Sequence, residues 1–242
     1  MTLFGVVIGS FLNVCIYRLP RGESLAFPPS HCATCRHQLA LRELIPVLSW
    51  LWQRGRCRHC GAKISGRYPL VELLTAVLLT LVYYQFGWSW ATLFWSAMTA
   101  LLIVISFIDI DTMEIPTYLV MGGAVLAAAY NWFTGRNPWD WVLGGLLGFG
   151  LFYLIYTLSR GGMGGGDVRL AGMLGLALGW QQLLTALLLA FTSGALVSLL
   201  LLASRRVSRK DPIPFGPFLA LGGYVAALWG EQLVIWYLRL FS

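Results

Sequence analysis

Charge is what this sequence has little of. Asp, Glu, Lys and Arg make up 11% of its 242 residues, against about a quarter in a soluble domain. That scarcity excludes an ordinary water-soluble domain, whose surface needs more charge than this chain carries. Positive charge is also missing from the start. In "MTLFGVVIGSFLNVCIYRLPRGE" the arginines follow the apolar run, whereas a cleaved signal peptide has its basic residues in front. The first segment is therefore expected to be a retained helix. There is no internal repeat, and no low-complexity tract beyond one glycine run.

What fills the chain is apolar. Hydrophobic residues account for 58% of it and mean hydropathy is +0.72. They fall into blocks close to the roughly 20 helical residues that cross a bilayer core. Residues 2–17, 69–87, 90–108, 115–133, 140–159, 168–179, 181–203 and 215–238 are the expected spans. The fold class this predicts is an all-α polytopic membrane protein with about eight transmembrane helices. The span 168–179 is short for a crossing and reads as a partial helix packed inside the bundle.

Segment 18–68 holds nine Lys and Arg against Glu23 and Glu43, which equals the net charge of the whole chain, +7. Cytoplasmic loops carry such an excess, so this loop is expected inside and the N-terminus outside. Threading eight spans from there puts Arg205, Arg206, Arg209 and Lys210 inside and leaves Arg136 and Arg239 outside. A basic loop beside a bilayer reads as this orientation signal, and no nucleic-acid partner is expected.

The loop also carries Cys32, Cys35, Cys57 and Cys60, spaced C-x2-C-x21-C-x2-C. Paired knuckles of this kind predict a four-thiolate structural zinc site, each knuckle supplying two ligands from one tight turn. A closed site of four thiolates leaves no position for a substrate, so the metal is expected to hold the loop together. His31, His37 and His59 then remain outside the shell, and Cys15 reads as a small apolar packing residue of the first helix.

Ten acids are present. Glu23, Glu43, Asp140, Asp211 and Glu231 read as solvated or locally paired. Glu72, at the start of a helix in "YPLVELLTA", is expected to face the bundle or the loop and to pair with an arginine. The others fall in "SFIDIDTMEIP" and "GGMGGGDVRL", both on the cytoplasmic side of the threaded chain. Asp109, Asp111, Glu114 and Asp167 thus share one membrane face. The plainer roles are a helix cap for Asp167 and a polar helix end for Asp109 and Asp111. The sharper role is a catalytic pair. Two neighbouring aspartates share one proton, so one activates water while the other protonates a scissile carbonyl. Gly164, Gly165 and Gly166 would let an extended peptide approach the backbone, with positive φ open to them.

Taken together, "GSFLNVCIYRLP", "LSWLWQRGRCRHCGAKISGRYPLVELLTA", "FIDIDTMEIP" and the Gly-x-Gly-Asp of "GGMGGGDVRL" resemble the type IV prepilin peptidases over nearly the whole chain. These are membrane aspartic proteases of type IV pilus, type II secretion and competence systems. The resemblance implies a first helix over 1–17, a cytoplasmic zinc-binding domain over 18–68 and a membrane-embedded peptidase domain over 69–242. It implies Asp109 and Asp167 as the catalytic pair, with Asp111 as the alternative first acid. It further implies a prepilin or pseudopilin substrate cut after a glycine at the cytoplasmic face of a bacterial plasma membrane. N-methylation of the new terminus with S-adenosylmethionine is implied as well, although no glycine-rich methyltransferase signature locates that cofactor. Two rivals are a presenilin-like intramembrane protease, which would lack the cysteine loop, and a proton-coupled transporter. The absence of repeats or matched broken helices counts against the transporter.

Overall fold

Each of the eight apolar spans folds as a helix. The computed structural model describes residues 1–159, 162–205, 208 and 211–239. Gly161 of the glycine run and the basic residues Arg206, Arg209 and Lys210 lie outside the described residues. The helices are α1 (Thr2–Arg18), a short α2 (Leu48–Trp52), α3 (Arg67–Phe86), α4 (Trp90–Thr112), α5 (Thr117–Phe133), α6 (Pro138–Leu158), α7 (Gly165–Leu178), α8 (Trp180–Ala203) and α9 (Gly216–Arg239). Among the described residues there are no strands, only the isolated bridges His31–Gln38 and Arg56–Lys63.

Among the described residues six helices, α1, α3, α4, α6, α8 and α9, are long and apolar enough to cross a membrane. Of the other two spans, α5 has 17 residues and α7 has 14. Large apolar side chains face outward, including Leu3, Phe4, Val7 and Phe11 on α1 and Leu188, Leu196, Leu199 and Leu200 on α8. Such faces suit lipid, and helices are the elements that satisfy their own backbone there. The chain is a multi-pass membrane protein.

Two compact units divide within α4, at Met1–Val104 and Ile105–Ser242. In the first, α1 lies against α3. A Cβ on Gly5 would come 2.6 Å from Ala76 Cα, and one on Gly9 2.6 Å from Glu72 Cα. Lipid supplies no hydrophobic force between helices, so close backbone approach over small residues supplies the packing. The buried Arg18 donates to the carbonyls of Ser24 at 2.7 Å and Pro28 at 2.6 Å, shaping the chain that leads to the cysteines. Glu72 departs from its expected arginine partner. It accepts the Val47 N–H at 2.7 Å. A backbone donor already fixed in a turn costs less ordering than a long cationic side chain.

In the second unit α7 is the core. Ten of its fourteen residues are buried, so it contributes packing on most of its circumference. Gly144 and Gly148 of α6 meet carbonyls of α7 where side chains would otherwise stand. At about 1.5 Å per residue α7 spans about 21 Å, short of the about 30 Å hydrocarbon core. Its last carbonyls therefore need donors from neighbouring elements. Asn131 Nδ2 reaches Leu176 O at 2.8 Å, and Arg136 reaches Ala177 O at 3.3 Å and Leu178 O at 2.6 Å. Asp140 holds the same guanidinium at 2.9 Å. Gly179, at φ +84, then turns the chain into α8.

Candidate active site and metal centre

Helical geometry separates the acids of "FIDIDTMEIP". Asp109 and Asp111 sit about 200° apart around α4, so they cannot face the same way. Asp109 is 5% exposed, while Asp111 and Glu114 are exposed. From the second motif Asp167 is 8% exposed, in the first turn of α7. The fold buries one acid from each motif in the same unit. An electrostatic interaction links Asp167 to Asp109.

Their surroundings differ. Asp109 Oδ2 accepts the Gly216 N–H at 2.9 Å. Gly216 is the first residue of α9, where backbone N–H groups lack helical partners and the dipole favours negative charge. Asp167 faces the backbone of Gly164, which supplies a hydrogen bond to its carboxylate. Its Oδ1 is buried with no hydrogen-bond partner among the described residues. Ile115 stands between the two helix starts. A Cβ on Gly166 would lie 2.7 Å from Ile115 Cβ, and one on Gly216 would lie 3.1 Å from Ile115 Cδ1 and 2.6 Å from Asp109 Oδ2. Two bare backbone positions thus let one isoleucine pack among the chain segments that carry both acids.

The glycines of the second motif do different work. Gly164 is extended at φ −76, and none of the described glycines of this run has a positive φ. The expected use of left-handed backbone is not what they provide. Gly166 makes room for Ile115, Gly164 lies beside the Asp167 carboxylate, and Gly165 faces open space.

In the first unit, the Sγ atoms of Cys32, Cys35, Cys57 and Cys60 all lie within 4.8 Å of one another. Cys32 and Cys60 are 3.8 Å apart, and Cys35 and Cys57 4.0 Å. Four sulfurs about 2.3 Å from a tetrahedral zinc have edges of about 3.8 Å, so the residues fit that ion. The two knuckles repeat one design. Cys32 N–H bonds His37 O and Arg36 N–H bonds Cys32 O; Cys57 N–H bonds Ala62 O and Gly61 N–H bonds Cys57 O. Arg36 at φ +57 and Gly61 at φ +70 occupy the same left-handed place after the second cysteine of each knuckle. Backbone N–H groups of Cys35 and then Thr34 pull the Cys32 thiol down to about 6, which favours a ligating thiolate. His37 and His59 stack on each other with ring centres 3.4 Å apart, and His31 bonds Pro29 O at 3.0 Å. Cys15 is buried in α1.

Reading the sequence missed Gly216 and left Ile115 as a spacing mark. The signal for Gly216 was present in "PIPFGPF". A glycine between prolines at a helix start marks a backbone that must come close to something, but the stretch does not name the partner.

Comparison with known proteins extends the geometry. Residues 3–86 match the model of the bacterial peptidase A24 N-terminal domain, and residues 96–199 that of the type IV leader peptidase family. The chain is 39% identical to a prepilin leader peptidase/N-methyltransferase of Aeromonas salmonicida (strain A449), across 98% of this chain and 92% of that one. It is 35% identical to a protein of the same name from Pseudomonas aeruginosa, across 98% and 92%. For the one from Bacillus subtilis (strain 168) the figures are 34%, 98% and 96%. No solved structure matches the chain.

Proposed function

The chain belongs to the type IV leader peptidase family, and on that premise we propose that it is a membrane aspartic endopeptidase that cleaves prepilins or pseudopilins and methylates the product. Membership sets aside the presenilin-like and transporter readings. The observation that carries the proposal is the burial of Asp109 and Asp167 in one unit, with Ile115 beside the backbone of Gly166 and Gly216. One carboxylate takes a proton from water as its oxygen attacks the peptide carbonyl carbon. The other gives its proton to the carbonyl oxygen, forming a tetrahedral diol. Collapse breaks the C–N bond, the leaving amine takes the first proton, and the second aspartate recovers its own. Gly165 is the open stretch of backbone along which an extended substrate would lie, with Gly164 and Gly166 shaping it.

Functionally the chain divides into the first helix at 1–17, a zinc-binding domain at 18–68 and a peptidase domain at 69–242. Cys32, Cys35, Cys57 and Cys60 hold structural zinc. S-adenosylmethionine supplies an electrophilic methyl group for the new N-terminal amine. Groups complementary to it line an open groove beside the first knuckle: the Glu23 carboxylate, the Arg36 guanidinium and the exposed Phe27 ring. They suit the donor's ammonium, its carboxylate and its adenine respectively.

The cysteine loop and both aspartates face the cytoplasm of a bacterial plasma membrane, and the N-terminus faces outward. The Lys and Arg excess of segment 18–68 supports this sidedness. The exposed Trp88, Trp90, Trp132 and Trp139 flank the α3–α4 and α5–α6 connections, as an interfacial aromatic belt does.

The test is incubation of purified protein with a peptide bearing a basic leader, a glycine and an apolar segment. Mass spectrometry should find cleavage after the glycine, and one added methyl group only when S-adenosylmethionine is present. Cleavage inside the apolar segment, or none, would overturn the reading.

A further inference from the structure

We propose that Gly216 is a positioning residue of the aspartate pair: its amide holds Asp109 as the ionised base and leaves Asp167 to carry the shared proton. This rests on the peptidase reading above and assigns the two roles that reading leaves open.

The first turn of α9 has one suitable amide to offer. Phe218 and Leu219 turn their N–H groups back to Phe215 O, and Pro217 has none. The Gly216 N–H is left over, and it reaches Asp109 Oδ2 at 2.9 Å. A hydrogen bond from a helix start favours the charged carboxylate. It also fixes which oxygen is occupied. Only glycine fits, since a Cβ would stand 2.6 Å from the same oxygen. Asp167 differs at one oxygen. The Gly164 backbone serves its carboxylate at the start of α7, but its buried Oδ1 has no partner among the described residues, and a charge on that oxygen is desolvated without a donor. A proton on that oxygen removes the cost and supplies the O–H that the carbonyl oxygen needs.

The groups around Asp109 are the Gly216 amide from α9, Ile115 at the entry to α5 and Asp167 from α7. Asp111 and Glu114, near it in sequence, are exposed. Arg169 lies about 200° around α7 from Asp167. In cleavage, Asp109 takes the proton from water and Asp167 gives its own to the carbonyl oxygen. As the diol collapses Asp109 passes the water proton to the leaving amine and Asp167 recovers its own from the diol, so the pair ends as it began.

The experiment replaces the Gly216 amide by an ester, with glycolic acid incorporated in cell-free translation of the full chain. The ester removes the N–H and adds no bulk. A control ester at Ala227 removes one helical amide of α9 away from the acids. For the Gly216 ester we expect kcat to fall roughly tenfold to a hundredfold with KM within about twofold. The acid limb of the kcat/KM profile should move to higher pH, because Asp109 loses the donor that favours its charge. The Ala227 ester should leave that limb in place. An unchanged kcat and profile, or a loss equal at every pH, would overturn the assignment. Cleavage persisting in Asp109→Asn or Asp167→Asn would overturn the peptidase reading beneath it, so the two failures are distinct.

Discussion

At Asp109 and Asp111 two chemically identical side chains have opposite surroundings, one buried under Gly216 and the other exposed. Asp109→Asn and Asp167→Asn should each lower peptide cleavage by roughly a hundredfold to ten-thousandfold, as the loss of an acid–base group does. Asp111→Asn should stay within about twofold, because a charge in water contributes little at a distance. Protein amount and monodispersity in detergent, measured beside the rate, separate chemistry from misfolding. The glycines can be divided by the same means. Gly166→Ala places a methyl 2.7 Å from Ile115 Cβ and should cost about 1–3 kcal/mol as overpacking. Gly165→Ala meets nothing within 4 Å. It should leave thermal stability within about 0.5 kcal/mol while raising KM, if substrate lies there.

Among the elements, the cysteine loop and α7 owe their order to different things. The loop has a short helix, two 3-10 turns and the two knuckles, too little to bury a core of its own, a deficit that metal on the four thiolates would supply. Purified protein should contain about one zinc per chain, and Cys57→Ser should lower that content by elemental analysis. Gly61→Ala keeps all four thiols but forces a side chain into φ +70. It should weaken zinc retention against a chelator by about 1 kcal/mol. The order of α7 comes from burial and from the cap that Arg136 and Asn131 place on its end. Arg136→Leu strips two carbonyls of their donor and should cost about 2 kcal/mol, read as a lower unfolding temperature in detergent.

For the molecule as a whole, the two proposed chemistries draw on different parts of the chain. The aspartates fall in the unit Ile105–Ser242, while the cysteines and the groove by Glu23, Phe27 and Arg36 fall in Met1–Val104. Methyl transfer from a sulfonium needs a neutral, aligned amine and no carboxylate pair. Asp167→Asn should therefore still add one methyl group to a pre-cleaved peptide, seen by mass spectrometry with S-adenosylmethionine. Arg36→Ala should weaken binding of that donor in isothermal calorimetry and leave cleavage unchanged. Joint loss of both activities in a stable, zinc-loaded Asp167→Asn protein would mean the two chemistries are not separable.

The helical character of the apolar spans and the thiol quartet were legible in the sequence because each rests on short-range information. Apolar blocks of bilayer length declare spans, and C-x2-C repeated once declares two knuckles whatever surrounds them. Only the tertiary structure decided what stands beside each acid. Gly216 follows Asp109 by 107 positions, and no local pattern in "PIPFGPF" identifies its acceptor. The partner Val47 N–H of Glu72 was hidden for the same reason, as was Ile115 against Gly166. A hydrophobic span reports the solvent it needs, which is a property of its own composition. A hydrogen bond between two helix ends reports how far apart the packing of several other helices has set them, and that distance belongs to none of the segments alone.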